Sequence, residues 1–355
     1  MQERIATLHA FSAPDPTLPD DVVVVVPLKV GDPPVALDSI LTTLSGHAVK
    51  RVILPIRGPA ERVREVMHEI QEAPVPIHPI WCNHPDVESL LAKEGIRGSG
   101  KGLDVWLGLA VASELGKYIV VHDADNTTYT DSHVPRLAWP LQSGCKFVKA
   151  YYARVESNQL YGRLTRLMAL PLIEAARRET KDDLYEYLGA FRYPLAGEFA
   201  LDSTIAQSLR VPVGWGLELG LLMEGFRLTG FSQSGQVDLG WHQHDHRSVD
   251  GPEGLAAMAT AVADTFYTGV VEQSSELDKQ VLEEQYRSVA LEMLEGYALD
   301  AAFNGLTFDR VSETRQIDAY ANAIVNASIT DRLPAFDSTG LDAQSLLEFC
   351  CYELI

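Results

Sequence analysis

"DDVVVVVPLK", residues 20–29, is an unbroken run of five valines stopped by Pro27. A strand with one wet face alternates apolar and polar residues. A run with no alternation reads as a central strand covered on both faces, as in parallel sheets. Reading outward, "PPVALDSILTTLSG" has helical spacing and "KRVILPI" (50–56) is a second strand. "GPAERVREVMHEIQE" is a second helix, "VPIHPIW" (75–81) a third strand, and "DVWLGLAVASELG" (104–116) a helix stopped by Gly116. "KYIVVHD" is a fourth strand. Strands alternating with helices predict an α/β fold on a doubly wound parallel sheet, whose ligands bind beyond the carboxyl ends of the strands.

Beyond residue 145 the rhythm changes. "KFVKAYYARVE" reads as a long strand, "QLYGRLTRLMALPLIEAARR" (159–178) as one strong helix, and "YPLAGEFAL" as a loop entering a strand. "VGWGLELGLLMEGFRL" (213–228) is a helix, and "SGQVDLGWHQHDHR" passes from strand to loop. From Gly254 to about Leu299 the pattern is helical; the tail 300–355 reads as polar and without evident chemistry.

The 355 residues carry 29 Lys+Arg against 49 Asp+Glu, a net charge of −20. That field repels nucleic acid and anionic membranes, so neither is expected as a partner. Any anionic ligand needs a local cluster of positive groups or a metal. With 46% hydrophobic and 22% charged residues, the chain can build a large core. None of the four cysteines forms a CxxC pair, and Cys350 and Cys351 are adjacent, which is poor disulfide geometry. Reduced thiols in a cytoplasm are expected. No apolar run is long enough to span a membrane.

The chemistry gathers at strand ends. Asp123 and Asp125 follow the fourth strand in "HDADN". Two carboxylates spaced i, i+2 in extended chain can face one cation, and their hard oxygens suit Mg²⁺ or Mn²⁺, which in turn bridge diphosphate oxygens. A loop aspartate more often only caps a helix; position is what favours a site here. "GIRGSGKGLD" (95–104) supplies four glycines before a helix N-terminus, where Lys101 could reach a phosphate. Its spacing is not that of a P-loop, and a flexible turn would look the same. "WHQHDHR" sets His242, His244 and His246 on one face of extended chain, where they could ligate metal or simply be solvated. Arg163 and Thr165 near a helix start could hold a phosphate or carboxylate, although a lone helix arginine is usually solvated. Glu198 and Glu218 sit among apolar residues, so each requires a partner or a ligand.

"GSGKG", "HDADN", "YGRLTRL…PL", "YPLAGEFA", "GWGLELGLL" and "VDLGWHQHDHR", in that order over residues 20–250, resemble the GT-A glycosyltransferases that make glucosyl-3-phosphoglycerate. "GSGKG…DADN" is also similar to the mannosyl-3-phosphoglycerate synthases. The resemblance implies a GT-A, Rossmann-like fold. Its parts would be an N-terminal extension (1–19), a transferase domain (20–250, divided at 145/146 into nucleotide-sugar and acceptor halves) and a helical C-terminal region with a tail (251–355). The implied reaction moves a hexose, glucose favoured, from a nucleoside diphosphate such as UDP-glucose to 3-phosphoglycerate. It retains anomeric configuration without a protein nucleophile and feeds synthesis of a compatible solute. By the same resemblance Asp123, Asp125 and His244 bind the metal, while Pro27, Lys101, Asp123 and Leu195 contact the donor. Arg163, Thr165 and His246 hold the acceptor, His246 standing where the family has an asparagine. Glu218 and Asp125 serve the chemical step. A homodimer is implied as well. The chain departs from the family after its first strand, where "PLKVGD" replaces a "PALNEE"-like segment and leaves only Asp32 nearby, and after its second, which reads "PIRG".

Three other readings compete. "DADNT" matches the D-x-D-x-T of haloacid-dehalogenase-type phosphatases, but that motif ends a first core strand and here three β/α units precede it. A nucleotidyltransferase could use the same metal logic. A GT-A-like binding module without turnover is the non-enzymatic alternative.

Overall fold

The structure is a computed structural model and describes residues 4–11, 15–31, 34–243, 254–273 and 277–351. Among the described residues the strands are β1 (Ala6–Leu8), β2 (Val22–Val25), β3 (Leu28–Lys29), β4 (Arg51–Arg57), β5 (Ile77–Trp81), β6 (Tyr118–Val121), β7 (Phe147–Glu156), β8 (Gln159–Leu160), β9 (Phe199–Asp202) and β10 (Ser234–His242). They join in the order β1-β10-β7-β9-β6-β2-β4-β3, with β5 also on β4 and β8 on β7. The valine run lies at the centre. Val23 and Val25 face one hydrophobic core, Val22 and Val24 the other, and none has any exposure. Both faces are covered, as the lack of alternation requires. Among the described residues no helix is long and apolar enough to cross a membrane.

The sheet is not wholly parallel. β9 runs antiparallel to both its neighbours, β6 and β7. It is entered from a loop already lying at the carboxyl ends of those strands, so the chain passes straight back through the sheet without a crossover. That reversal matters for function, because the residues preceding β9 are delivered to the edge where β6 ends.

The single helix expected over 159–178 is broken. β8 takes Gln159–Leu160, a π-helix spans Thr165–Ala169, and an α-helix continues over Leu170–Glu179. Pro171 explains the break: it has no N–H for the Leu167 carbonyl, and its ring crowds that turn. The Leu170 N–H bonds back to Thr165 O, five residues earlier. The Tyr286 hydroxyl donates to the Leu167 O at 2.6 Å.

Tyr286 belongs to the helix Lys279–Phe303, which packs on this segment together with the helix Arg310–Val325. The tail is therefore less polar in effect than its composition suggests. Ile317, Tyr320, Ala321 and Ile324, at i, i+3, i+4 and i+7, form a buried stripe. From the same helix Glu313 accepts Arg166 Nη1 and Nη2 at 3.0 and 2.7 Å, while Arg166 also donates to the carbonyls of Tyr161 (2.9 Å) and Leu160 (3.2 Å). Both side chains of this pair are under a tenth exposed, at 9% and 8%. Glu313→Ala strands a buried guanidinium and is expected to cost about 3–5 kcal/mol in urea unfolding; a loss under about 1 kcal/mol would contradict the pair's structural weight.

The helix Lys101–Leu115 begins three residues earlier than its apolar pattern suggests and packs on β2 and β4. The helix His133–Gln142 was not legible because Pro135 and Pro140 interrupt it. Pro135 falls in the first turn, where its missing N–H costs nothing.

Candidate active site

β6 ends at Val121, and β9 begins at Phe199 directly opposite it; Phe199 also pairs with Lys149 of β7. Register thus sets Gly197 and Glu198 beside His122 and Asp123. The Ala150 N–H donates to Glu198 O at 3.0 Å and closes the corner. A Cβ on Gly197 would lie 2.1 Å from Asp123 Oδ2, so only glycine lets that carboxylate rest on the turn.

Two helix starts complete this corner. Lys101 is the first residue of Lys101–Leu115, and Glu218 lies in the first turn of Leu217–Thr229. The two starts meet closely: a Cβ on Gly102 would stand 1.8 Å from Pro212 O. Lys101 Nζ sits 2.6 Å from Asp123 Oδ1 and 2.9 Å from Glu218 Oε1. Burial works against its charge, but Asp123 and Glu218 prevail and hold the ammonium well above its ordinary value. Sequence reasoning asked for a partner for Glu218; Lys101 is that partner, from 117 positions away.

The loop after Asp125 is clasped to the end of β10. Thr127 N and Oγ1 each donate to Gln243 O at 3.0 Å, and the Gln243 N–H donates to Thr128 Oγ1 at 3.2 Å. His244 and His246 lie outside the described residues. His242 is fully buried, stacked on Tyr152 at 3.8 Å and on His133 at 5.0 Å. His133 Nδ1 lies 3.1 Å from the Thr130 N and 3.2 Å from the Thr130 O, and its Nε2 lies 3.1 Å from His242 Nε2. Burial pushes His133 down to about 4, so it is neutral in ordinary conditions. Of the three alternating histidines, His242 is thus a core residue that anchors the end of β10.

Arg163 and Thr165 lie on the segment leading into the π-helix, a geometry common at functional sites. Thr165 is buried. The Arg163 guanidinium lies 5.6 Å from the Tyr161 ring, and no ion pair to it is found among the described residues. This contrasts with Arg166, whose guanidinium is divided between Glu313 and the carbonyls of Tyr161 and Leu160. No hydrogen bond or ion pair among the described residues joins Arg163 to the Lys101 cluster; its neighbour Gly162 packs against Tyr193. Gly162 has φ +69°, and a Cβ there would meet Tyr193 Oη at 2.4 Å, at the head of the loop Tyr193–Glu198. Leu195 on that loop and Pro27 at the end of β2 are half-buried. In "PIRG", Arg57 Nε donates to both Asp104 oxygens at 2.9 Å, tying the end of β4 to the Lys101 helix.

The donor set fits a hard divalent cation: carboxylates of Asp123 and Asp125 at one strand end, with the chain of β10 held against their loop. Among the described residues no three His, Cys, Asp or Glu side chains converge into a metal cluster. One residue escaped sequence reasoning altogether. Lys149 is fully buried beneath this corner; its signal was a charge inside the otherwise apolar "FVKAYY".

No family model matches the chain. Curated relatives do. A glucosyl-3-phosphoglycerate synthase from Methanococcoides burtonii is 31% identical over 359 residues, covering 92% of this chain and 88% of the relative. Another, from Persephonella marina, is 33% identical over 284 residues, covering 75% and 70%. Among solved structures, glucosyl-3-phosphoglycerate synthase from Mycobacterium tuberculosis in complex with Mn²⁺, uridine-diphosphate-glucose and phosphoglyceric acid superposes with a TM-score of 0.57 at 25% identity, over 78% of this chain and 89% of that one. The same enzyme with Mg²⁺ and uridine diphosphate gives a TM-score of 0.56 at 24% identity, over 78% and 89%.

Proposed function

The chain belongs to the glucosyl-3-phosphoglycerate synthases, and we propose that the corner formed by Lys101, Asp123, Glu218 and the Asp125 loop is where it works. It is a metal-dependent glucosyltransferase of GT-A fold that uses UDP-glucose and 3-phosphoglycerate, with Mg²⁺ or Mn²⁺. The observation carrying the site assignment is the Lys101 ammonium held between Asp123 and Glu218 at the carboxyl end of β6, where doubly wound sheets place their ligands.

Asp125, Asp123 and His244 would hold the metal. When bound, that ion neutralises charge developing on the departing diphosphate. Lys101 adds a fixed ammonium on the same side, and Pro27 borders the nucleotide at the end of β2. Leu195 and Glu218 line the glucose. Arg163 and Thr165, aided by His246, hold the phosphate of the acceptor and so fix its hydroxyl near the anomeric carbon, an orientation effect. No protein nucleophile is assigned, which suits retention by attack from the leaving-group face. A cytoplasmic setting suits the unbridged Cys82 and Cys145.

The phosphatase reading loses support from the geometry. Asp123, its nucleophile, is engaged by Lys101 and packed on Gly197, and the Thr127 hydroxyl is spent on Gln243 O.

A product assay tests the function. The protein is incubated with Mn²⁺, UDP-glucose or GDP-mannose, and 3-phosphoglycerate or glycerate. A glucosyl-phosphoglycerate mass from UDP-glucose alone is expected; donor turnover without that product would overturn the acceptor. In the same assay Arg163→Ala should raise the KM for 3-phosphoglycerate on the order of tenfold to a hundredfold and change kcat much less, since a charge-assisted clamp is lost. An unchanged KM would misplace the acceptor site.

A further inference from the structure

Lys149 stands in the middle of β7 between Val148 and Ala150, with no exposure. A buried ammonium forfeits its hydration, and an apolar side chain of the same volume would pack at least as well. Stability alone does not account for it. Burial, joined by repulsion from the Lys101 ammonium, drags its proton affinity down to about 8, against the pull of Glu218, Glu198 and Asp123. Its hydrogen bond among the described residues goes to Ala196 O at 2.5 Å. The Phe199 ring centroid lies 5.5 Å from Nζ.

Ala196 is the centre of the turn that matters most here. Leu195 precedes it, and Gly197, on which Asp123 rests, follows. Backbone bonds from the Ala196 N–H to Tyr193 O at 3.1 Å and from the Ala150 N–H to Glu198 O at 3.0 Å hold the turn at its two ends, and Lys149 is the side chain that holds the Ala196 carbonyl between them. We propose that Lys149 is the positioning residue of the donor-sugar subsite: its ammonium pins the Ala196 carbonyl and thereby sets Leu195 against the sugar. This rests on the reading of the pocket as the UDP-glucose site. Lys149 touches no reacting atom; it acts through the turn, as a supporting group that preorganises a pocket.

Calorimetric titration of UDP and of UDP-glucose, each with Mn²⁺, into wild type, Lys149→Met and Lys149→Gln tests the proposal. UDP lacks the sugar and reports on the nucleotide and metal alone. Lys149→Met should bind UDP within about threefold of wild type but UDP-glucose about tenfold or more weakly, because only the sugar depends on the turn. Lys149→Gln, whose amide can still donate to Ala196 O, should recover most of the loss. Equal losses for both ligands, no loss for either, or a Gln variant as weak as the Met variant would each overturn it. Should Lys149→Met fail to fold, the Gln variant decides, its amide nitrogen lying one bond short of the ammonium: a residual loss confined to UDP-glucose upholds the proposal, and equal losses for both ligands or no loss for either overturn it. Wild type that binds neither UDP nor UDP-glucose would instead remove the reading of the pocket itself.

Discussion

Asp125→Ala is expected to abolish glucose transfer, with kcat/KM falling on the order of a thousandfold, about 4 kcal/mol of transition-state stabilisation, while the protein stays folded. Asp125 differs from its neighbour in how it is held. Asp123 is gripped by Lys101 and packed on Gly197, so removing it disturbs the architecture as well as the site. Asp125 is half-buried at the mouth, and the charge it exerts falls on the Arg154 guanidinium. Its loss should cost no more than about 1 kcal/mol in unfolding. Activity and stability therefore separate at Asp125, which makes it the cleaner probe of metal binding. Steady-state kinetics beside a urea titration gives both numbers. Turnover within about tenfold of wild type would remove Asp125 from the metal site.

Lys101→Met should be almost as damaging to turnover, on the order of a hundredfold to a thousandfold, and it should leave a signature in pH. In wild type the raised Lys101 contributes stability that is fully present below its unfolded value of 10.5 and is lost only as pH rises through the higher folded value. Neutral solution therefore keeps the whole of it. Methionine fills the space but leaves Asp123 and Glu218 facing each other without the ammonium that now lies 2.6 and 2.9 Å from them. At least one carboxylate must then titrate above its unfolded value. A raised carboxylate destabilises where it is ionised, so the variant's deficit relative to wild type should be largest near pH 8, about 3 kcal/mol, and should shrink toward pH 5. Chemical denaturation at the two pH values measures it. A deficit that does not change with pH would mean the carboxylates are not facing one another when Lys101 is gone.

How much of this could be read beforehand differs from element to element. The valines of β2 declared a doubly covered strand because nothing else tolerates burial on both faces. Asp123 and Asp125 could be placed beyond a strand end for the same local reason: they follow the apolar run directly. β9 did not announce its direction, since four residues reading FALD pair equally well either way, and only the loop's arrival point decides. The stripe Ile317, Tyr320, Ala321, Ile324 was diluted by polar neighbours until the helix Lys279–Phe303 gave it something to bury against. Pro171 was visible in the sequence, but its consequence, a π-turn whose Leu167 carbonyl is met by Tyr286 from 119 residues away, was not. Lys101 was singled out as a phosphate contact. That it would bridge Asp123 and Glu218 depended on Gly102 letting the helix start slide against Pro212. Contacts that span the chain are tertiary facts, and no local pattern encodes them.

The most direct test is crystallographic. Crystals grown with Mn²⁺ and UDP would be measured at a wavelength where manganese scatters anomalously. The account predicts a single strong peak within ligand distance of Asp125 and the UDP diphosphate, on the side of the pocket that carries Lys101, with His244 among its ligands. A peak held away from Asp125, or UDP bound with its diphosphate remote from the end of β6, would contradict it.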